Sequence, residues 1–237
     1  MAADAQNNPF IKHLASSDKK TRDQALTSLR AFLGAQTSIS ELDLLKLWKG
    51  LFYCLWMQDK PVLQNALSTS LATLPSTLRP TLVLPFLRAF YLTLAREWSA
   101  IDALRMDKFL FLIRQYIHAS FAYLARANWD EQTVRQWNEV VEEVPLNPED
   151  MKVPNGLRYH VLDVWVDELE KVERGWGGRG EVLGWVMQPV ERLGREGRLK
   201  AVRVAAKECL EDERLRAWRG EGGKGEEEEE EWGGIED

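Results

Sequence analysis

Apolar residues in this chain recur every three to four positions over most of its length, and no alternating pattern competes with them. That period belongs to a helix with one face to bury, so the chain has to fold as helices packed on one another. The spacing predicts a first helix with Asp18 as N-cap, carrying Ala25, Leu26, Leu29, Phe32 and Leu33, and ended by Gly34. Ser38 and Glu41 read as a capping box for a second helix over 40–58, with Leu44, Leu45, Trp48, Leu51, Phe52, Leu55 and Trp56 on a broad inner face. Pro61 suits the first turn of a third helix, bearing Val62, Leu63, Ala66, Leu67 and Leu71.

A fourth helix is expected from Pro80 or Pro85 to Trp98. A long, nearly all-apolar one follows from Asp102 to Ala127, with Lys108, Arg114, Gln115, His118 and Arg126 on a narrow polar stripe. A helix so apolar is buried among neighbours. Asn128 and Glu131 read as a second capping box for a helix to about Val144. After the proline-rich loop Pro145 to Asn155 comes a helix from Gly156 to Glu173, and two more are expected around 181–194 and 197–217. The fold class is therefore all-α. Long helices joined by short loops point to antiparallel pairs stacked as an irregular, HEAT-like α-solenoid, with a single irregular bundle as the alternative. Residues 1–174 are expected to form a helical-repeat domain and 175–219 a C-terminal helical extension. Residues 220–237, with six consecutive glutamates, are expected to form a disordered acidic tail.

Composition narrows the functional classes. The chain has 237 residues, 45% of them hydrophobic, which is enough for a substantial core. Ten tryptophans must be used in that core or in interfaces. Two cysteines, both in helical patterns, imply no disulfide framework. The N-terminus lacks the pattern of a secretory signal, and no uncharged apolar run approaches the roughly 18 residues a membrane span needs. Residues 1–127 carry a net charge of +6 and residues 128–237 one of −12, so the two halves can face different partners.

No constellation for catalysis stands out. The three histidines, His13, His118 and His160, sit at no metal-binding spacing. The glycines at 175–180 follow a helix, which is the wrong context for a nucleotide loop. Cys54 reads as a core residue, and the acidic run at 163–173 as a solvated helix face, with His160 hydrogen-bonding on its own helix surface. No cofactor or metal is expected, and no small-molecule substrate.

Four segments are distinctive: Leu14-Ala-Ser-Ser-Asp-Lys-Lys-Thr-Arg-Asp-Gln-Ala25, Leu44-Leu-Lys-Leu-Trp-Lys-Gly-Leu-Phe-Tyr-Cys-Leu-Trp-Met-Gln-Asp-Lys-Pro61, Glu97-Trp-Ser-Ala-Ile-Asp-Ala-Leu-Arg-Met-Asp-Lys-Phe109 and Pro154-Asn-Gly-Leu-Arg-Tyr-His-Val-Leu-Asp163. In this order, over roughly residues 7–173, they resemble the eukaryotic nucleolar ribosomal-RNA-processing protein 1 family. The resemblance implies a helical, non-enzymatic factor of early pre-60S particles in the nucleolus. It would support 27S, 5.8S and 25S pre-rRNA processing beside a Brix-domain protein and a WD-repeat protein. No catalytic residues carry over.

Two surfaces are candidates for that work. On the second helix, Lys46, Lys49, Gly50, Tyr53 and Met57 lie away from the apolar face, a mixture suited to a protein partner. A mid-helix glycine costs about 1 kcal/mol relative to alanine, so Gly50 implies close approach by a partner or by another helix of the chain. On the fourth and fifth helices, Arg88, Arg96, Arg105, Lys108, Arg114 and Arg126 are candidates for a basic edge that touches pre-rRNA. The leading reading is a scaffold binding assembly factors and pre-rRNA, and the alternative is a protein whose basic face binds pre-rRNA directly and dominantly. A nuclease would need a carboxylate cluster for metal ions, and none can be placed.

Overall fold

The computed structural model describes residues 13, 14, 16 and 18–220. The acidic tail anticipated beyond Gly220 lies outside the described residues. Among them the regular structure is helical, with no strand: α1 (Lys19–Ala35), α2 (Glu41–Trp56), α3 (Pro61–Ala72), α4 (Pro80–Glu97), α5 (Ala103–Arg126), α6 (Glu131–Glu143), α7 (Asn155–Val172), α8 (Gly180–Glu196), α9 (Lys200–Leu210) and α10 (Glu213–Trp218).

Local chemistry sets most of the starts. The side chains of Asp18, Ser40, Asp102, Asp130 and Asp212 each accept a backbone N–H of the first turn, and Pro61 and Pro80 occupy first-turn positions. Two of the anticipated capping boxes are displaced. Ser40, not Ser38, caps α2, and its partner is Asp43. Asp130, not Asn128, caps α6, because Asn128 and Trp129 take positive φ (52° and 56°) to turn the chain out of α5. Gly34 does not end α1, which continues to Ala35. A Cβ on Gly34 would lie 3.4 Å from the Thr77 carbonyl, so the glycine sits where α1 meets the short 3-10 turn Leu74–Thr77. The anticipated helix over 197–217 is two helices, α9 and α10, divided where Asp212 begins a new cap.

Consecutive helices pair as α2–α3 and α8–α9 through close backbone approach, and as α4–α5 and α6–α7 through the ring contacts Phe90–Tyr116 and Trp137–Trp165. The first members stack as one layer, α2 on α4 on α6 on α8. The second members stack as the other, α3 on α5 on α7 on α9. This is the solenoid arrangement, in which each hairpin buries its apolar faces only by stacking on the next. Residues 175–219 continue the stack, and one hydrophobic core runs from Leu14 to Leu215.

The tryptophans mark that core at three levels. Trp48 of α2 lies 4.7–5.1 Å, centroid to centroid, from Phe86, Phe90 and Tyr116, and its indole N–H donates to the Phe86 carbonyl at 3.0 Å. Phe121, Trp137 and Trp165 meet at 5.3–5.5 Å around α5, α6 and α7. Trp129 packs on Trp176, and Trp176 on Trp218, near the C-terminal end.

Candidate protein-interaction surface

In α2 the inner face is set by Leu44, Trp48, Leu51, Phe52 and Leu55, all buried. On the opposite side, Leu42, Lys46, Lys49, Tyr53 and Met57 fall at i, i+4, i+7, i+11 and i+15, a single stripe along the helix. Leu42 is 60% exposed, Tyr53 39% and Met57 65%; Lys46 is exposed and Lys49 half-buried. Neither lysine makes an ion pair among the described residues. Gly50 is buried, so it does not belong to the surface stripe. Leu42 was not anticipated; its place on the stripe could have been read from the same spacing.

The stripe continues over the hairpin tip. Trp56, half-buried, lies 6.4 Å from Tyr53, and the Arg105 guanidinium stacks 5.0 Å above the Trp56 ring. The sequence reads α5 as an apolar helix buried among its neighbours, yet its first-turn Leu104 is 94% exposed beside Arg105.

The candidate basic edge is largely spent inside the protein. Arg88 donates to both oxygens of Glu143 at 2.6 Å and to Glu41 at 2.8 Å, tying α4 to α6 and α2. Those hydrogen bonds hold the Glu143 carboxyl below its ordinary range. Arg114 pairs with Asp167 and Glu168 of α7. Arg96 pairs with Glu97, and Arg105 with Asp102. Lys108 is not a surface cation: it is buried, and its ammonium donates to the carbonyls of Trp56 and Gln58 at 2.7 and 2.8 Å, closing the C-terminus of α2. Burial, with Arg105 close by, lowers its pKa. Arg126 is exposed and makes no ion pair among the described residues.

The acidic run on α7 is likewise not a plain solvated face. Glu168 is buried, with Arg114 and Lys171 hydrogen-bonded to it and His118 Nδ1 3.2 Å away, close but without hydrogen-bond geometry. Burial pushes its pKa up, but the three neighbours outweigh that and bring it down to about 2. His160 bonds across to α5, through Nε2 and the Leu110 carbonyl at 2.8 Å, and burial lowers its pKa.

Two of the four distinctive segments meet at the same edge of the stack. The Trp98 ring lies where a Cβ on Gly156 would sit only 3.0 Å from it. Arg158, buried, donates to the carbonyls of Asn147, Asp150 and Val153 and to Asn155 Oδ1, and so organises the loop before α7. These residues shape the edge and do no evident chemistry. Burial pushes the thiols of Cys54 and Cys209 up to about 12 (at Cys209 with help from Asp212), which keeps both protonated and unreactive. Among the described residues no group of three or more His, Cys, Asp or Glu could hold a metal ion, and no helix is long and apolar enough to cross a membrane.

Comparison with known proteins places these features in a family. The family model for the nucleolar protein Nop52 matches residues 5–236. Ribosomal RNA processing protein 1 homolog B of Homo sapiens is 40% identical over 169 residues, 69% of this chain and 22% of that protein. Homolog A of Mus musculus is 40% identical over 69% of this chain and 34% of its own length. The Caenorhabditis elegans homolog is 32% identical over 79% of this chain and 47% of its own length. The chain thus spans less than half the length of each of these relatives.

Proposed function

The chain belongs to the nucleolar Nop52 family, and from that premise we propose that it acts in the nucleolus as a non-catalytic scaffold in ribosomal RNA processing, holding assembly factors and pre-rRNA together in early pre-60S particles. The observation that carries this reading is the α2 stripe. Two lysines without internal partners stand among three exposed apolar side chains on a helix whose other face is fully committed to the core. Open helix faces are normally charged and good helix-forming; Tyr and Met beside unpaired lysines have the composition of an interface. The stripe suits an acidic, apolar-faced segment of another assembly factor. Brix-domain and WD-repeat factors are the partner classes this reading favours.

The alternative, dominant binding of pre-rRNA by the chain's own basic edge, has less support. Of the six candidate cations on α4 and α5, only Arg126 stands free of an internal carboxylate or carbonyl partner.

The test is Lys46→Glu combined with Lys49→Glu. Helicity and Tm should stay nearly unchanged, while the protein should be lost from affinity-purified pre-60S particles. Normal co-purification of the double variant would remove this face from the assembly contacts. Unfolding would mean that the lysines serve an internal network instead.

A further inference from the structure

A second surface, on the opposite layer, has the reverse charge. Helices α7 and α9 lie side by side, and each contributes an i, i+3 or i+4, i+7 stripe to the groove between them: Tyr159, Asp163 and Val166 from α7, and Ala205, Glu208 and Asp212 from α9 and its end. The groove has a volume of about 670 Å³. Its floor is apolar and packed, with Val166 only 4% exposed, while Tyr159 at its mouth is 38% exposed. Its rim is acidic. Asp163 and Glu208 are exposed and make no ion pair among the described residues. The one lining cation, Arg214, is already held by Asp167, Glu170 and Asp212. After burial itself, the carboxylates of Asp212 and Asp163 raise the Cys209 thiol and Arg214 lowers it, so the field in the groove is negative but partly offset by that arginine.

The geometry points to a docking groove between α7 and α9 for a basic amphipathic helical segment of a partner protein, its apolar side against Tyr159 and Ala205 and its Lys or Arg side chains against Asp163 and Glu208. Helix-in-groove recognition uses this arrangement: apolar anchors at helical spacing give affinity, and rim charges give orientation and selectivity. A nucleic acid is disfavoured because its phosphates would face the acidic rim. The groove lies on different helices from the α2 stripe and stands or falls independently of it.

The test uses the full chain and a fluorescein-labelled 15-residue peptide of leucine and lysine, with leucines at helical spacing, read by fluorescence anisotropy at physiological salt. A counterpart with glutamate for every lysine is the control. The basic peptide should bind and the acidic one should not. Asp163→Lys with Glu208→Lys should weaken binding at least about tenfold without shifting Tm, since both side chains are exposed. Should the reversal variant fail to fold, Asp163→Asn with Glu208→Gln reports the same loss in smaller measure. Replacing Glu226 to Glu231 by glutamine should leave the affinity as it is. The proposal is overturned if the basic peptide does not bind, if both peptides bind alike, or if binding depends on the six glutamates and not on Asp163 and Glu208. The Lys46→Glu, Lys49→Glu variant should bind the basic peptide normally, which separates failure here from failure at α2.

Discussion

At the scale of single residues, burial decides which polar groups matter. Trp48 is 1% exposed and joins three aromatic rings to a backbone carbonyl, so truncation removes packing and leaves a cavity. Trp48→Ala is expected to cost roughly 3–5 kcal/mol in urea denaturation; a loss under about 1 kcal/mol would mean the site collapses freely. Glu168 makes a pH prediction. Its folded pKa of about 2 lies below its ordinary 4.5, so its stabilisation is fully present above pH 4.5 and is lost as pH falls toward 2. Glu168→Gln should therefore reduce stability by on the order of 2–3 kcal/mol at pH 7, and the gap to the parent protein should close between about pH 5 and 2. A gap that persists at pH 2 would assign the loss to packing and not to charge.

Helix ends in this protein are finished by side chains from other helices as well as by their own caps. Lys108 reaches from α5 to two carbonyls at the end of α2, 50 and 52 residues earlier in the chain. Lys108→Met keeps the apolar stem and removes the donor. Its expected cost is about 2 kcal/mol, the usual worth of hydrogen bonds to a buried charged group. Faster amide exchange should appear in the last turn of α2 and not in α6. Unchanged stability would show that water replaces the ammonium there. Arg158 does comparable work for the loop ahead of α7, which explains structurally why the segment Pro154–Asp163 is so distinctive.

For the whole molecule, stacking turns charges into stitches. Arg88, Arg114, Arg192 and Arg214 each pair with carboxylates 44–55 residues away, about one hairpin along the stack. Cations so engaged have little left for phosphates. Arg114→Gln should lower stability by roughly 1–3 kcal/mol, because it leaves buried Glu168 with Lys171 as its one hydrogen-bond donor, and should leave the affinity for a structured rRNA hairpin and its salt dependence unchanged. The opposite outcome, intact stability with a salt slope reduced by about one, would restore the basic-edge reading of α4 and α5. Among the unpaired surface charges, Lys46 and Lys49 of α2 and Asp163 and Glu208 of α7 and α9 lie on two separate faces of opposite sign, which suits a part that joins unlike neighbours.

The sequence by itself determined most of the helices, their approximate limits, much of the core and the family resemblance, because periodicity, prolines and capping residues act over a few positions; Phe32 and Val62, placed on inner faces by spacing alone, are exposed. It also determined the exposed side of α2, since one side of a helix can be read once its apolar side is known. Only the tertiary structure decided that Gly50 is covered, that Lys108 is buried, that Leu104 is bare and that Arg88 and Arg114 have carboxylate partners on other helices. The partners of Lys108, Arg88 and Arg114 lie about a hairpin away in the chain. The groove between α7 and α9 was invisible for the same reason: its two stripes lie about 45 residues apart and become one surface only when the hairpins stack.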